Sequence, residues 1–270
     1  MWMILLLAGV LVAAGTLVML FLRRRTPPRR WIVFAAFAAA VCLCLAGIYG
    51  YLQDYYHAEP EALLSLNSTD AVKVARDGKK TFFDGPGDST AVIFYPGGKV
   101  EAVSYAPLLF RLAEGGADCF LMEMPFRLAF FNMNAADTVP KSGYDTVIMM
   151  GHSLGSVAAS SYAAKHPDEI DGIVLLAGYP SGQMPENMKL LSILGDRDGV
   201  INRKSYEKNR ANWPADSTEK IIEGGNHAQF GAYGMQPGDE TALISLDEQQ
   251  KQTVSLILEW LRQMPAKAGQ

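Results

Sequence analysis

A serine with a glycine on either side lies directly behind an apolar stretch. Residues 151–155 read Gly-His-Ser-Leu-Gly, and they follow the short apolar run 144–150. Glycines at these two positions let a strand turn sharply into a helix, because a Cβ at either one would collide with neighbouring backbone. The residues that follow, 153–165, are suited to a helix. The pattern therefore predicts a nucleophilic hydroxyl on Ser153, presented on a strand-to-helix turn.

A serine hydroxyl needs a base to take its proton and an acid to orient that base. Among the four histidines, His227 is the candidate base, since it follows an apolar segment and two glycines late in the chain. Between Ser153 and His227, the apolar run 189–194 opens into a loop that carries Asp196 and Asp198. From position alone, either carboxylate could orient the histidine.

Short apolar segments alternate with helical stretches in the C-terminal two thirds of the chain. We expect strands near residues 91–95, 118–122, 144–150, 172–177, 189–194 and 218–222. This alternation predicts a mostly parallel sheet with helices on both faces, in one α/β domain of about 200 residues. Leading strands are expected within 71–83, and a final helix with one buried face over 247–264.

Together these features resemble the α/β-hydrolase family, from about residue 90 to residue 264. The chain order Ser153, Asp198, His227 matches the family's order of nucleophile, acid and base. The sequence Gly-x-x-Asp-x-Val around Asp198 also resembles the family's acid loop. The resemblance therefore implies Asp198 as the acid, and it leaves Asp196 to cap the loop by accepting from backbone amides.

Two backbone amides are needed to stabilise the negative charge that develops on the substrate oxygen. Helix N-termini expose such amides, so Leu154, directly after the nucleophile, is expected to donate one. The run Pro-Gly-Gly-Lys at residues 96–99 resembles the family's glycine-containing oxyanion loop. This resemblance implies Gly98 as the second donor, with Lys99 as the neighbouring alternative.

The histidine region, residues 226–234, is similar to that of small lidless bacterial members related to the dienelactone-hydrolase-like group. Dienelactone hydrolases carry cysteine where this chain has Ser153, so their lactone-specific chemistry is not implied. The short stretch 178–188 leaves little room for a lid, and an open site without an evident pocket for charge suits a carboxylic ester.

We therefore expect a carboxylesterase-like serine hydrolase that forms an acyl-enzyme and acts on a small-molecule or lipid-like ester. Acyl transfer to a cell-envelope alcohol proceeds through the same acyl-enzyme and remains an alternative. A non-catalytic binding module with this fold is the less favoured third interpretation.

Two uncharged apolar runs precede this part of the chain, at about residues 2–22 and 31–52. Each has about the length needed to cross a bilayer as a helix. Five arginines lie between them, in the stretch 23–30, and no charged residue precedes the first run. A cleavable signal peptide carries its positive charges before the apolar run, so we expect the first run to be retained.

Basic loops stay on the cytoplasmic side of a membrane. The arginines therefore predict a two-helix transmembrane hairpin over residues 1–52, in the cell membrane, with the C-terminal part facing outside the cytoplasm. A linker over 53–70 and a catalytic domain over 71–270 complete the expected organisation.

Composition argues against several classes of partner and cofactor. The net charge is −4, and removing the five positive charges of the arginine loop leaves −9 for the remainder. Such a domain has no electrostatic reason to bind nucleic acid or anionic lipid surfaces. Of the three cysteines, two lie in the second apolar run and one in a predicted strand, so no disulfide is expected outside. No metal-ligand spacing appears, and we expect neither a metal nor a cofactor.

Overall fold

The computed structural model describes residues 15–16 and 27–264, and the chain divides into two compact units, Met1–Asp54 and Tyr55–Gln270. In the first unit, helix α1 spans Pro27–Gln53. Its part Phe34–Gln53 is long and apolar enough to cross a membrane, with a mean hydropathy of 2.0 and 6% of the segment buried.

The two predicted membrane spans differ in what the structure says of them. The second, residues 31–52, coincides with α1. The first, residues 2–22, lies outside the described residues except for Gly15 and Thr16, which are helical. The structure thus supports one N-terminal apolar helix, which by length and composition could be a membrane anchor or a signal sequence.

The second unit is built on an eight-stranded sheet with the order β1-β2-β4-β3-β5-β6-β7-β8. The first two strands and β4 pair antiparallel, and every pair from β4 onward is parallel. The strands are β1 Lys73–Asp77, β2 Lys80–Asp84, β3 Thr90–Tyr95, β4 Asp118–Met122, β5 Thr146–His152, β6 Gly172–Leu176, β7 Lys189–Gly195 and β8 Ser217–Ile222. The predicted mostly parallel sheet is confirmed, and each predicted strand lies within two residues of its observed ends.

Helices cover both faces of this sheet. They are α2 Pro60–Leu64, α3 Ala106–Glu114, α4 Leu154–Lys165, α5 Arg203–Asn209 and α6 Leu246–Leu261. Side chains alternate along the buried strand β3, so that Val92 and Phe94 join the core beneath α3 and α6, whereas Ala91 and Ile93 join the core beneath α4. Burial on both faces explains why the central strands are nearly continuous apolar runs.

The segment that the sequence suggests as a linker, residues 53–70, packs on the domain from Tyr56 onward. Tyr56 forms a bridge with Val100, donating its N–H to the Lys99 carbonyl at 2.7 Å. Ala62 of α2 is fully buried in the core. The chain is therefore fixed to the loop that follows β3 almost as soon as the second unit begins.

Between β6 and β7 the chain forms neither helix nor strand over residues 177–188. Met184 and Met188 in this connection are buried and pack on the core beneath α4. The connection thus lies against the body of the domain, as expected for a member without a lid inserted here.

Candidate active site

Ser153 lies on the turn between β5 and α4, with backbone angles φ 51° and ψ −118°. This left-handed conformation is strained for any residue other than glycine. A Cβ on Gly155 would overlap the carbonyl oxygen of Tyr95, and one on Gly151 would overlap the backbone of Gly155. The steric reason predicted for both glycines is confirmed, and the turn presents Ser153 at the carboxyl edge of the sheet.

Asp198 and His227 come together from the loops that follow β7 and β8. Asp198 Oδ2 lies 2.8 Å from His227 Nδ1, and both side chains are buried. A carboxylate can only accept, so Nδ1 carries the proton and donates it to Asp198. His227 Nε2 is buried and has no hydrogen-bond partner among the described residues. That nitrogen remains available to take a proton.

The second oxygen of Asp198 accepts the backbone N–H groups of Val200 and Ile201, at 2.9 and 2.8 Å. Asp196 is exposed and accepts the N–H of Gly224 at 2.7 Å. The structure therefore places Asp198, and not Asp196, against the histidine. Asp196 caps the neighbouring turn.

Asp239 binds both of these loops, a role that no local pattern in the sequence indicates. Its Oδ1 accepts from the N–H of Gly199 at 3.0 Å and from that of His227 at 3.3 Å. Its Oδ2 accepts from the N–H of Ala228 at 2.8 Å. One carboxylate thus joins the acid loop to the histidine loop.

Gln249 of α6 holds the same loop from the core side. It accepts the Asn226 N–H at 2.9 Å and donates to the Asn226 carbonyl at 2.8 Å, and it is fully buried. A polar residue on the buried face of an amphipathic helix is a signal that could have identified it from the sequence.

The loop after β3 brings Gly98 beside Leu154. A Cβ on Gly98 would lie 2.8 Å from the Leu154 side chain. The amides on either side are occupied, because Gly97 donates to the Tyr105 hydroxyl at 3.1 Å and Lys99 donates to the Arg127 carbonyl at 2.8 Å. Gly98 and Lys99 are the two predicted donors. Because the Lys99 amide is already bound to Arg127, the structure favours Gly98.

His152 packs beside the histidine of the pair, a contact that the sequence pattern did not indicate. Its ring centroid lies 4.6 Å from that of His227, and its Nδ1 lies 2.7 Å from the Tyr105 hydroxyl. Burial lowers the pKa of His152 well below its usual value and raises the pKa of Tyr105. Tyr105 therefore keeps its proton and donates it to Nδ1, while accepting the Gly97 N–H. His152 is neutral, with its proton on Nε2.

Nothing in the described part of the chain resembles a metal centre, since no group of three or more histidine, cysteine or acidic side chains is arranged to hold an ion there. The chemistry of the arrangement rests on a serine, a histidine–aspartate pair and backbone amides.

Comparison with known proteins identifies a family for the chain. The model of the alpha/beta hydrolase family matches residues 91–251, which is more than half of the chain. A search of curated proteins found no match.

Several solved structures share the fold. A dienelactone hydrolase-like promiscuous phosphotriesterase from metagenomic libraries superposes with a TM-score of 0.52 at 14% identity, over 71% of this chain and 99% of its own. A predicted CIB-like hydrolase from Thermoplasma acidophilum gives 0.51 at 14% identity, over 70% and 100%. An alpha/beta hydrolase enzyme from a lagoon-sediment metagenome of Mar Chica, Morocco, gives 0.51 at 16% identity, over 70% and 98%. At such identities the likeness concerns the fold alone.

Proposed function

Because the chain is a hydrolase of the alpha/beta hydrolase family, we propose that it cleaves carboxylic esters through a triad of Ser153, His227 and Asp198. The observation that carries the proposal is the buried Asp198–His227 hydrogen bond of 2.8 Å at the same sheet edge as a strained, glycine-flanked serine. Backbone strain at a non-glycine residue in such a setting is typical of a functional site.

In the first half of the reaction, Ser153 Oγ attacks the ester carbonyl while His227 Nε2 takes the hydroxyl proton. The imidazolium that forms is stabilised by Asp198, which accepts from Nδ1. The carbonyl carbon becomes tetrahedral, and its oxygen gains a negative charge that the amides of Leu154 and Gly98 bind. When the carbon–oxygen bond to the alcohol breaks, His227 returns the proton to the leaving oxygen, and the acyl group remains on Ser153.

In the second half, a water molecule replaces the alcohol. His227 takes a proton from this water as its oxygen attacks the acyl carbon, and the carboxylic acid leaves when Ser153 recovers its proton. No lid is inserted between β6 and β7, so we propose water, and not a second alcohol, as the acceptor of the acyl group.

We also propose that α1 anchors the enzyme in the cell membrane, within a two-span hairpin, and that the catalytic domain faces outside the cytoplasm. The apolar segment Phe34–Gln53 supports the anchor. The five arginines of residues 23–30 support the orientation, because carrying them through the hydrocarbon is costly. Protease added to intact cells without a wall should then degrade the domain. Full protection, with an exterior protein cleaved in the same sample, would place the domain inside.

A fluorophosphonate probe tests the nucleophile directly. The full-length protein should be labelled at Ser153, whereas Ser153→Ala should be neither labelled nor active on p-nitrophenyl butyrate. Ser156→Ala is a matched control, because Ser156 lies three residues further on, about one helical turn, and donates instead to the Gly151 carbonyl at 2.6 Å. Folded wild-type protein that takes up no probe would show that the fold serves binding and not catalysis.

A further inference from the structure

The chain enters the second unit beside the oxyanion loop. Tyr56 donates to the Lys99 carbonyl, and the Glu101 N–H donates to the Tyr56 carbonyl at 2.9 Å. Only two residues separate Tyr56 from Gln53, the last residue of α1. Three residue steps span about 10 Å even when fully extended. The covalent chain therefore keeps Tyr56, which is hydrogen-bonded to the oxyanion loop, within about 10 Å of the last residue of the apolar helix.

The loop after β4, residues 125–131, is tied to the same point, and we call it the aromatic loop. The carbonyl of Arg127 accepts the Lys99 N–H, and its guanidinium lies 3.4 Å from the centre of the Tyr55 ring. Phe126 and Arg127 both have positive φ, at 54° and 56°. Two consecutive left-handed non-glycine residues are strained, so the contacts around them must impose this conformation.

This strained loop presents phenylalanines to solvent. The exposed fractions of Phe126, Phe130 and Phe131 are 53%, 51% and 60%, and the rings of Phe126 and Phe131 are in edge contact at 5.5 Å. The turn Ala129–Phe131 lies against α4, the helix that follows the nucleophile. The aromatic loop thus lies beside both α4 and the oxyanion loop, and its three exposed phenylalanines are costly in water.

A groove of about 420 Å³ lies between the aromatic loop and α2, and both apolar and charged side chains line it. Its apolar residues include Leu63, Pro96 and Phe126, and its charged residues are Arg76, Glu101, Glu123 and Arg127. Leu63 and its neighbour Leu64 are more than half exposed. Exposed apolar side chains of α2 and of the aromatic loop thus flank this groove.

We propose that the aromatic loop, with Leu63 and Leu64, docks into the interface of the same bilayer that α1 crosses, so that the enzyme takes its substrate, an ester lipid, from that membrane. The inference rests on the proposed anchoring and ester hydrolysis, and it names the substrate class. Aromatic and aliphatic side chains gain free energy on entering the interfacial region of a bilayer. The short tether keeps them there without a separate binding step, since it raises their effective concentration at the surface.

The docking can be measured without turnover. In the full-length chain with Cys42→Ala and Cys44→Ala, an NBD fluorophore is attached at Phe131→Cys, because Cys119 is buried. The protein is reconstituted in phosphatidylcholine vesicles with and without doxyl-labelled lipid. We expect blue-shifted emission that the doxyl lipid quenches. The matched control is Ser255→Cys, an exposed position of α6, where emission should resemble that in water.

The substrate class is tested by a ratio of rates. Phe130→Ser with Phe131→Ser should lower hydrolysis of 4-methylumbelliferyl oleate in the vesicles, relative to hydrolysis of soluble p-nitrophenyl acetate, by at least about tenfold, because two half-exposed phenylalanine rings lose only part of the free energy of full burial. Leu243→Ser, which changes a still more exposed apolar residue on another loop, should leave this ratio unchanged.

Four results would overturn the proposal. The first is that the doxyl lipid quenches the fluorophore equally at positions 131 and 255, and the second is that the blue shift at 131 depends on protein concentration and not on lipid. The third is that the double variant leaves the ratio of the two hydrolysis rates unchanged. The fourth is that the full-length protein is recovered free of vesicles. The last result contradicts the anchoring itself. A different result would contradict ester hydrolysis and the substrate class but not the docking. In that case the fluorophosphonate probe would not label Ser153, while the doxyl lipid would still quench the fluorophore at 131.

Discussion

The two sides of the proposed site are built in different ways. On one side, the loops after β7 and β8 form a network in which the Asp239 carboxylate and the Gln249 amide bind the backbone of residues next to Asp198 and of the histidine loop. On the other side, the loops after β3 and β4 contain left-handed residues at Lys99, Phe126 and Arg127, and they expose aromatic rings.

The difference matches the demands of the proposed reaction. Proton transfer needs the imidazole within a fraction of an ångström of its place, and buried, fully satisfied hydrogen bonds provide that rigidity. Binding of a variable acyl chain needs apolar surface more than fixed geometry. The strand order places the two groups of loops on opposite sides of the serine. The strands β3 and β4 lie on one side of β5, and β7 and β8 lie on the other.

The largest expected effect concerns the acid on the networked side. Asp198→Asn should lower kcat about ten-thousandfold, because an amide no longer holds the imidazole in the tautomer that leaves Nε2 free. Asp196→Asn, the matched change two residues away, should cost less than about tenfold, since that side chain only caps a turn. Rates of p-nitrophenyl butyrate hydrolysis check both. The reverse ranking would move the acid to Asp196.

The next effect concerns the residue that joins the two networked loops. Asp239→Asn should lower kcat by about tenfold to a hundredfold with little change in KM, because the amide nitrogen that replaces one oxygen cannot accept a backbone N–H, so the histidine loop should shift relative to Ser153. Glu240→Gln, a change of the exposed neighbour, is the control. If Asp239→Asn raised KM alone, the carboxylate would belong to substrate binding and the comparison between the two sides would fail.

A smaller effect is expected where the two sides meet, at Tyr105. Tyr105→Phe leaves both the Gly97 N–H and His152 Nδ1 without their partner, which should lower the free energy of unfolding by about 1–3 kcal/mol. We expect turnover to fall by about tenfold or less, because the neighbouring Gly98 amide is less firmly placed. Thermal unfolding and kcat measured together check this. An unchanged Tm would show that water replaces the hydroxyl.

The smallest effect appears only in acid. His152 has a lowered pKa in the folded state, so below about pH 6.5 the unfolded chain binds a proton that the folded chain does not. Stability should therefore fall as pH falls, by up to about 1.4 kcal/mol per pH unit from this group. His152→Asn should show a shallower loss between pH 6.5 and 5.5 in denaturant titrations. Parallel curves for the two proteins would mean that His152 is already protonated when folded.

In the loops after β7 and β8, the sequence predicted the acid and the histidine but not all of the side chains that hold them. The glycine-flanked serine and the strand ends could be read from local patterns, because each depends on a few adjacent residues. The role of Asp239 could not be assigned in the same way, since it acts on backbone that folding brings close from another part of the chain. For Gln249 the helix pattern could indicate a buried polar residue, but not the backbone that it binds. The membrane topology depends on residues 1–26, most of which lie outside the described part.

The backbone of Ser153 carries a consequence for how this chain can change over time. At φ 51° and ψ −118°, glycine would be the residue that suits the backbone, and a serine here costs about 1–3 kcal/mol of folding free energy. A lineage that no longer used the hydroxyl would gain stability by losing it. The strained serine thus supports the proposed use of its hydroxyl, since the fold by itself would favour glycine here.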